Sequence, residues 1–200
     1  MRLFEEIRRR ASRRRSVPRR ATCVLAAVTC AVLCALPSAR PARAAEPAIE
    51  YQVKAAFLYN FAKFVVWPEY VFSSKTSPLT LCVVGDDPFG TPLHAALAGR
   101  KAHSRRITLK LLDEPNSDDG CHIAFLSAPG DARMARLMHR LRGRTILTVG
   151  DDEAFAANGG MVRLLVDNKK IRFDINAKSA EAVGLRMSAQ LLSLARRVRQ

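Results

Sequence analysis

The sequence predicts an α/β domain: a mainly parallel sheet with helices on both faces, a C-terminal antiparallel hairpin edge and a closing helix. Three observations lead there. Short apolar runs alternate with amphipathic stretches along residues 79–149, the spacing of strand–helix–strand units. The first run, 79–84, is apolar almost throughout, as strands covered on both faces are. Two further runs, 161–166 and 171–175, are joined only by Asp167-Asn168-Lys169-Lys170, a hairpin spacing.

The elements follow in order. Residues 50–67 read as a helix stopped by Pro68. Val53, Phe57, Phe61 and Phe64 form its apolar stripe, and Leu58, Val65 and Val66 widen it. Such a helix is expected to be buried deeply or on two sides. The strand 79–84 runs into the turn Gly85-Asp86-Asp87-Pro88. Residues 89–98 read as a helix ended by Gly99, and 106–112 as a second strand alternating through Ile107, Leu109 and Leu111. A polar loop, 116–120, precedes the third strand, 121–126. Asp131 is placed to cap a helix that runs to Leu141 and stops before Gly143. The fourth strand is 145–149, and Gly159-Gly160 reads as a turn or bulge before the hairpin. Residues 177–198 read as the closing helix, with Gly184 permitting close packing. Arg196, Arg197 and Arg199 would end it, where cations suit the helix dipole.

Residues 1–44 read as a cleavable export signal, and 45–200 as one domain. Eight arginines lie between residues 8 and 20, followed by an uncharged apolar run over 21–36. That run is shorter than the roughly twenty residues that span a bilayer. Ala42-Arg43-Ala44 has the small-residue pattern of a signal-peptidase site, so cleavage is expected after Ala44 or Ala45. The mature protein would be soluble and, in a bacterium, periplasmic. The alternative is an uncleaved membrane anchor.

Net charge follows from this division. The whole chain carries +15, but its first 44 residues hold eleven arginines and two glutamates. The remainder keeps 22 basic and 16 acidic residues, a net +6. A modest excess of this size does not make a nucleic-acid surface. Cys23, Cys30 and Cys34 leave with the signal, so Cys82 and Cys121 are the mature pair. An even pair in an exported domain reads as a disulfide. The alternative is two buried free thiols.

Catalytic patterns are sparse. Gly85-Asp86-Asp87 and Gly150-Asp151-Asp152 place paired acids after strands, where receiver domains hold Mg²⁺. A receiver also needs a phosphoacceptor aspartate at the end of a central strand, and the third strand ends at Ser127. Turn chemistry explains the acids better. His94, His103, His122 and His139 show no metal-binding spacing, and His122 reads as a structural histidine. Neither a G-x-S-x-G elbow nor a glycine-rich phosphate loop is present. No enzyme activity, cofactor or metal is expected. One ligand site is conceivable beyond the carboxyl ends of the strands, from Asp86, Asp87, Ser127 and Asp151, with Arg186 on the last helix meeting an anion.

Several blocks together resemble one family. Residues 51–64, from Tyr51 through Lys54, Phe57 and Phe61 to Phe64, precede Trp67-Pro68. Then come Leu81-Cys82-Val83-Val84-Gly85-Asp86-Asp87-Pro88-Phe89-Gly90, Cys121-His122-Ile123 and Leu147-Thr148-Val149-Gly150-Asp151. Phe155 with Gly159-Gly160-Met161 follows, then Ile171-Arg172-Phe173-Asp174-Ile175-Asn176 and Gly184-Leu185-Arg186-Met187-Ser188. In this order, over about residues 50–198, they resemble the YfiR/HmsC-like periplasmic proteins.

The resemblance implies a compact α/β domain, often a homodimer, without catalysis. It implies a partner, the periplasmic part of an inner-membrane diguanylate cyclase, held inactive while bound. Release would raise cyclic di-GMP and favour biofilm. Other members would serve other membrane sensors. Cys82 and Cys121 match one cysteine pair of the family. A second pair, present in some members, is missing, since Ala156 and Arg163 stand in that region. Redox control would then have to run through Cys82 and Cys121. The aromatic N-terminal helix and the hairpin edge are the expected contact surfaces. The alternative function is a periplasmic small-ligand binder that reports to a membrane sensor or transporter.

Overall fold

The computed structural model describes residues 45–128 and 130–200, so the expected export signal lies outside the described residues. Helix α1 (Ala45–Phe64) leads into strand β1 (Val65–Val66). Next come β2 (Leu79–Gly85), α2 (Thr91–Leu97), β3 (Lys101–Ala102), β4 (Arg105–Leu112) and β5 (Ile123–Ser127). Then follow α3 (Asp131–Leu141), β6 (Leu147–Gly150), α4 (Glu153–Ala157), β7 (Val162–Asp167) and β8 (Lys170–Asn176). The chain closes with α5 (Ala177–Glu181), β9 (Arg186–Met187), α6 (Ala189–Leu194) and β10 (Arg197–Arg199). None of these helices is long and apolar enough to cross a membrane.

Eight strands form one mixed sheet in the order β10-β8-β7-β6-β5-β2-β4-β3, and β1 pairs separately with β9. Pairing is parallel from β4 through β2, β5 and β6 to β7, and antiparallel in the β7–β8 hairpin. The predicted class is therefore the observed one. β2 shows why its sequence is apolar: Leu79 to Val84 are all buried. Leu81 and Val83 join the core beneath α1 and α2, whereas Cys82 and Val84 join the core beneath α3 and α4.

The hairpin turns through Asn168 and Lys169, both left-handed at φ 49° and 61°. Two positive φ values suit the right-handed twist of a two-residue hairpin. Outside β8, the short β10 pairs with Asp174–Asn176, and the Lys170 end of the strand continues beyond that pairing.

Helix α4 was not anticipated. It has five residues, and its main local cue is Asp152, whose carboxylate accepts the Ala154 N–H at 2.6 Å. α4 places Phe155, fully buried, against the glycines of neighbouring segments. A Cβ on Gly150 or Gly160 would lie 2.6 or 2.1 Å from the ring. Gly160 is thus a packing requirement rather than a turn residue. At α3, Gly130 holds the cap position and Asp131 opens the first turn.

Three other expectations need correction. The first helix ends at Phe64, because the β-branched Val65 and Val66 go extended and pair with Met187 and Arg186. Its buried face is Ala55, Leu58, Phe61 and Ala62, while Val53 is 40% exposed and Phe57 and Phe64 are half-buried. Small alanines let α1 approach the sheet more closely than the phenylalanine stripe would.

The helix expected over 177–198 is two short helices separated by β9. Gly184 adopts φ 82° and breaks the first, while Ser188 caps the second by accepting the Leu191 N–H. Arg197 and Arg199 then lie in a strand rather than at a helix end. Arg196 just before it grips Asp174 with two hydrogen bonds, 2.9 and 2.6 Å.

Cys82 of β2 is bonded to Cys121, just before β5, with Cα atoms 5.8 Å apart. The bridge closes a loop of 39 residues. Replacing both cysteines, Cys82→Ser with Cys121→Ser, is expected to lower stability by about 3–4 kcal/mol through loop-closure entropy. Urea denaturation under oxidising conditions checks this, and an unchanged midpoint would contradict it.

Candidate functional site

β6, β5 and β2 are neighbours, so their carboxyl ends gather Asp86, Asp87, Ser127 and Asp151 at one end of the sheet. Asp87 and Asp151 have their carboxylates committed locally, whereas the Asp86 carboxylate is exposed. Asp87 accepts the N–H groups of Phe89 and Gly90 and shapes the turn. The Ser127 carbonyl accepts the Asp86 N–H at 2.9 Å, and the exposed Asp86 carboxylate lies 3.6 Å from Arg133. Gly85 is required here, since a Cβ would fall 2.1 Å from the Ser127 carbonyl oxygen.

Asp151 has the strongest partners. Its Oδ2 lies 2.5 Å from Lys54 Nζ and accepts the Tyr51 hydroxyl at 3.0 Å. Glu50 also meets Lys54, at 2.5 Å. Lys54 is only 3% exposed, which makes it the buried cation of α1. Burial alone would lower its pKa, but the hydrogen bonds to Asp151 and Glu50 outweigh it, and the pKa is raised. The amine therefore stays protonated and is no nucleophile. Burial, reinforced by the Asp151 charge, pushes the Tyr51 phenol up to about 12. The group is a clamp that fastens the middle of α1 to the end of β6.

Arg186 is not part of this end. It is exposed on β9, opposite Val66 of β1. β1 follows the far end of α1, roughly 15 Å along the helix axis from Lys54. Of the five residues expected around one ligand, Asp86, Asp87, Ser127 and Asp151 share one end of the sheet and Arg186 does not join them. Among the described residues, no group of three or more His, Cys, Asp or Glu side chains is placed to hold a metal ion.

The clamp was missed at the sequence level. Its signal was a lysine one helical turn after Glu50 in an otherwise apolar stretch.

At the other end of the sheet, the Trp67 indole donates to the His122 carbonyl at 3.0 Å. The His122 ring accepts the Thr80 N–H through Nδ1 at 3.1 Å and stacks on Phe72 at 4.4 Å. Arg105 lies 3.6 Å from the Phe72 ring centre. Nε2 of His122 is buried without a hydrogen-bond partner among the described residues. Burial, then the Arg105 charge, lowers the His122 pKa to about 4.

The family model described as YfiR/HmsC-like matches residues 51–196. The chain belongs to the YfiR/HmsC-like family. The match takes in the Lys54 clamp, the disulfide and the hairpin. This YfiR/HmsC-like domain also presents an apolar groove of about 770 Å³ between α1 and the hairpin. Ile49, Val53 and Phe57 form its helix side, and Val166 and Ile171 its hairpin side. Ile49, Val53 and Val166 are 59%, 40% and 55% exposed.

Two predictions follow from these sites. Asp151→Asn leaves the buried Lys54 with a weaker partner and is expected to cost about 2 kcal/mol or more in urea denaturation. Arg186→Ala, on the exposed strand, is expected to stay within about 0.5 kcal/mol; equal effects would contradict the clamp.

The second concerns pH. Unfolded His122 takes a proton near its ordinary value of 6.5, whereas the folded group does so only near 4. Its contribution is complete above 6.5 and is lost as pH falls from there to 4. His122→Asn keeps an acceptor for the Thr80 N–H but does not titrate. Between pH 7 and 4.5, the wild type should lose about 2 kcal/mol more than this variant. Parallel pH–stability curves would contradict the assignment.

Proposed function

We propose that this protein is an exported periplasmic regulator that binds the periplasmic part of an inner-membrane diguanylate cyclase and holds it inactive. Family membership supports the regulatory role, and residues 1–44 have the pattern of a cleavable signal. The observation that carries the contact is the groove between α1 and the hairpin, where large apolar side chains stand exposed together. Lys169 and Lys170 flank its hairpin side, so the fitting partner is an apolar segment with acidic neighbours. Such binding acts by favouring one of two cyclase states, which requires different affinity for each. Loss of the contact raises cyclic di-GMP and favours biofilm. The protein acts by association, with no catalytic step, and a homodimer would present two such grooves.

The test is cellular cyclic di-GMP in a deletion strain carrying one of three copies: the full chain, a copy lacking residues 2–44, or Val53→Asp with Val166→Asp. Deletion should raise the nucleotide several-fold, and only the exported wild type should restore it. Unchanged cyclic di-GMP on deletion would overturn the cyclase reading. Full restoration by a folded, exported groove variant would overturn the contact surface alone.

A further inference from the structure

A second pocket lies on the β7–β8–β10 end of the sheet, with a volume of about 290 Å³. Its charges follow from the strand register. Arg163 of β7 pairs with Asp174 of β8, and Asp174 pairs with Arg197 of β10. Paired residues project to the same face of a sheet, so these three form one row. Arg199 pairs with Asn176 two residues further on and lies on that face as well. Arg163, Arg197 and Arg199 all line the pocket.

The acids nearby do not neutralise this row. Both oxygens of Asp174 are held by Arg196, which lies outside the pocket lining. Glu153 reaches Arg163 at 3.2 Å, but its side chain is 90% exposed and the pair is weak in water. Among the described residues, Arg197 and Arg199 make no salt bridge. Nε of Arg163 is buried and lacks an acceptor. Asn176 uses its carbonyl oxygen to accept the Ser179 N–H, which leaves its amide NH₂ as a donor. Asp174 itself lines the pocket, between Arg163 and Arg197 in the register, and the rest of the wall is mainly apolar, with Ala156, Met161, Ile175 and Val198.

We propose that this pocket binds a small phosphate monoester, with its phosphate between Arg163, Arg197 and Arg199 and its organic body against the apolar wall. Guanidinium groups recognise phosphate through paired N–H donors, and three of them match its three terminal oxygens. A carboxylate offers only two oxygens. The volume, just below the roughly 300–1,000 Å³ range of small-ligand sites, suits a small ester. Arg197 and Arg199 lie beyond the residues that match the family model, and Arg163 lies within them. The site stands apart from the groove proposed to meet the cyclase and does not depend on that reading.

The test is calorimetric titration of the purified protein with phenyl phosphate at low ionic strength, with benzoate as the carboxylate control. Saturable binding is expected, and it should tighten between pH 5 and 7.5 as the ligand loses its second proton near pH 6. Arg163→Gln, Arg197→Gln and Arg199→Gln should each weaken it about tenfold or more, and Arg186→Gln should leave it unchanged. Arg197 and Arg199 are on an edge strand, so these two variants decide the matter if Arg163→Gln does not fold. No saturation at roughly millimolar phenyl phosphate would overturn the proposal. So would equal affinity for benzoate, or equal loss in Arg186→Gln.

Discussion

The ion pair between Lys54 and Asp151 joins the middle of α1 to the carboxyl end of β6. A buried ammonium is costly unless it is well paired, and Asp151 adds to Glu50 of the same helix a partner that α1 finds only at this end of the sheet. Tyr51 completes the contact and carries its ring to Phe89, 5.3 Å away, which in turn meets Phe125 of β5. The far end of α1 is fixed by different means. Val65 and Val66 pair with β9, and Trp67 bonds the His122 carbonyl. The helix is thus held at its middle and at its C-terminal end. The choice of buried face follows from that.

That choice determines what remains outside. Ala55, Leu58, Phe61 and Ala62 turn inward, so Ile49, Val53 and part of Phe57 are left beside the hairpin. Phe57 bridges the two surfaces, with its ring 6.1 Å from Phe61 and 5.6 Å from Phe173 of β8. An aromatic cluster therefore packs the helix against the hairpin. A groove whose walls are already packed lowers the ordering cost of association. An exposed apolar surface of this kind suits a protein that acts by contact.

The strands and the hairpin were legible in the sequence for local reasons. Burial on both faces writes β2 as an apolar run, and Asn168 tolerates the left-handed conformation that a two-residue turn requires. The C-terminal segment was not legible, because its buried residues keep a helical spacing while its conformation is set elsewhere. Ala180, Leu185 and Leu191 are buried in any case, but β9 exists only because β1 offers a partner more than a hundred residues earlier. The clamp was hidden for the same reason, with 97 residues between Lys54 and Asp151. The strand-end acids were placed correctly, and Asp87 shows the turn chemistry favoured for them, whereas the anchoring of a helix by Asp151 was not anticipated. The expected anion partner, Arg186, was assigned by a continuous helix that does not form.

The disulfide illustrates how burial limits mechanism. Thiol–disulfide exchange needs a thiolate to reach a sulfur, so access governs its rate. Cys82 is fully buried in the middle of β2, and Cys121 is only 8% exposed. Both pack in the core beneath α3 and α4, among Val84, Leu126 and Met134. A reductant cannot reach the bridge while this core is intact. Reduction must therefore follow local opening of the core, and the bridge reports unfolding rather than the redox state of a folded protein. The role that this burial fits is stability.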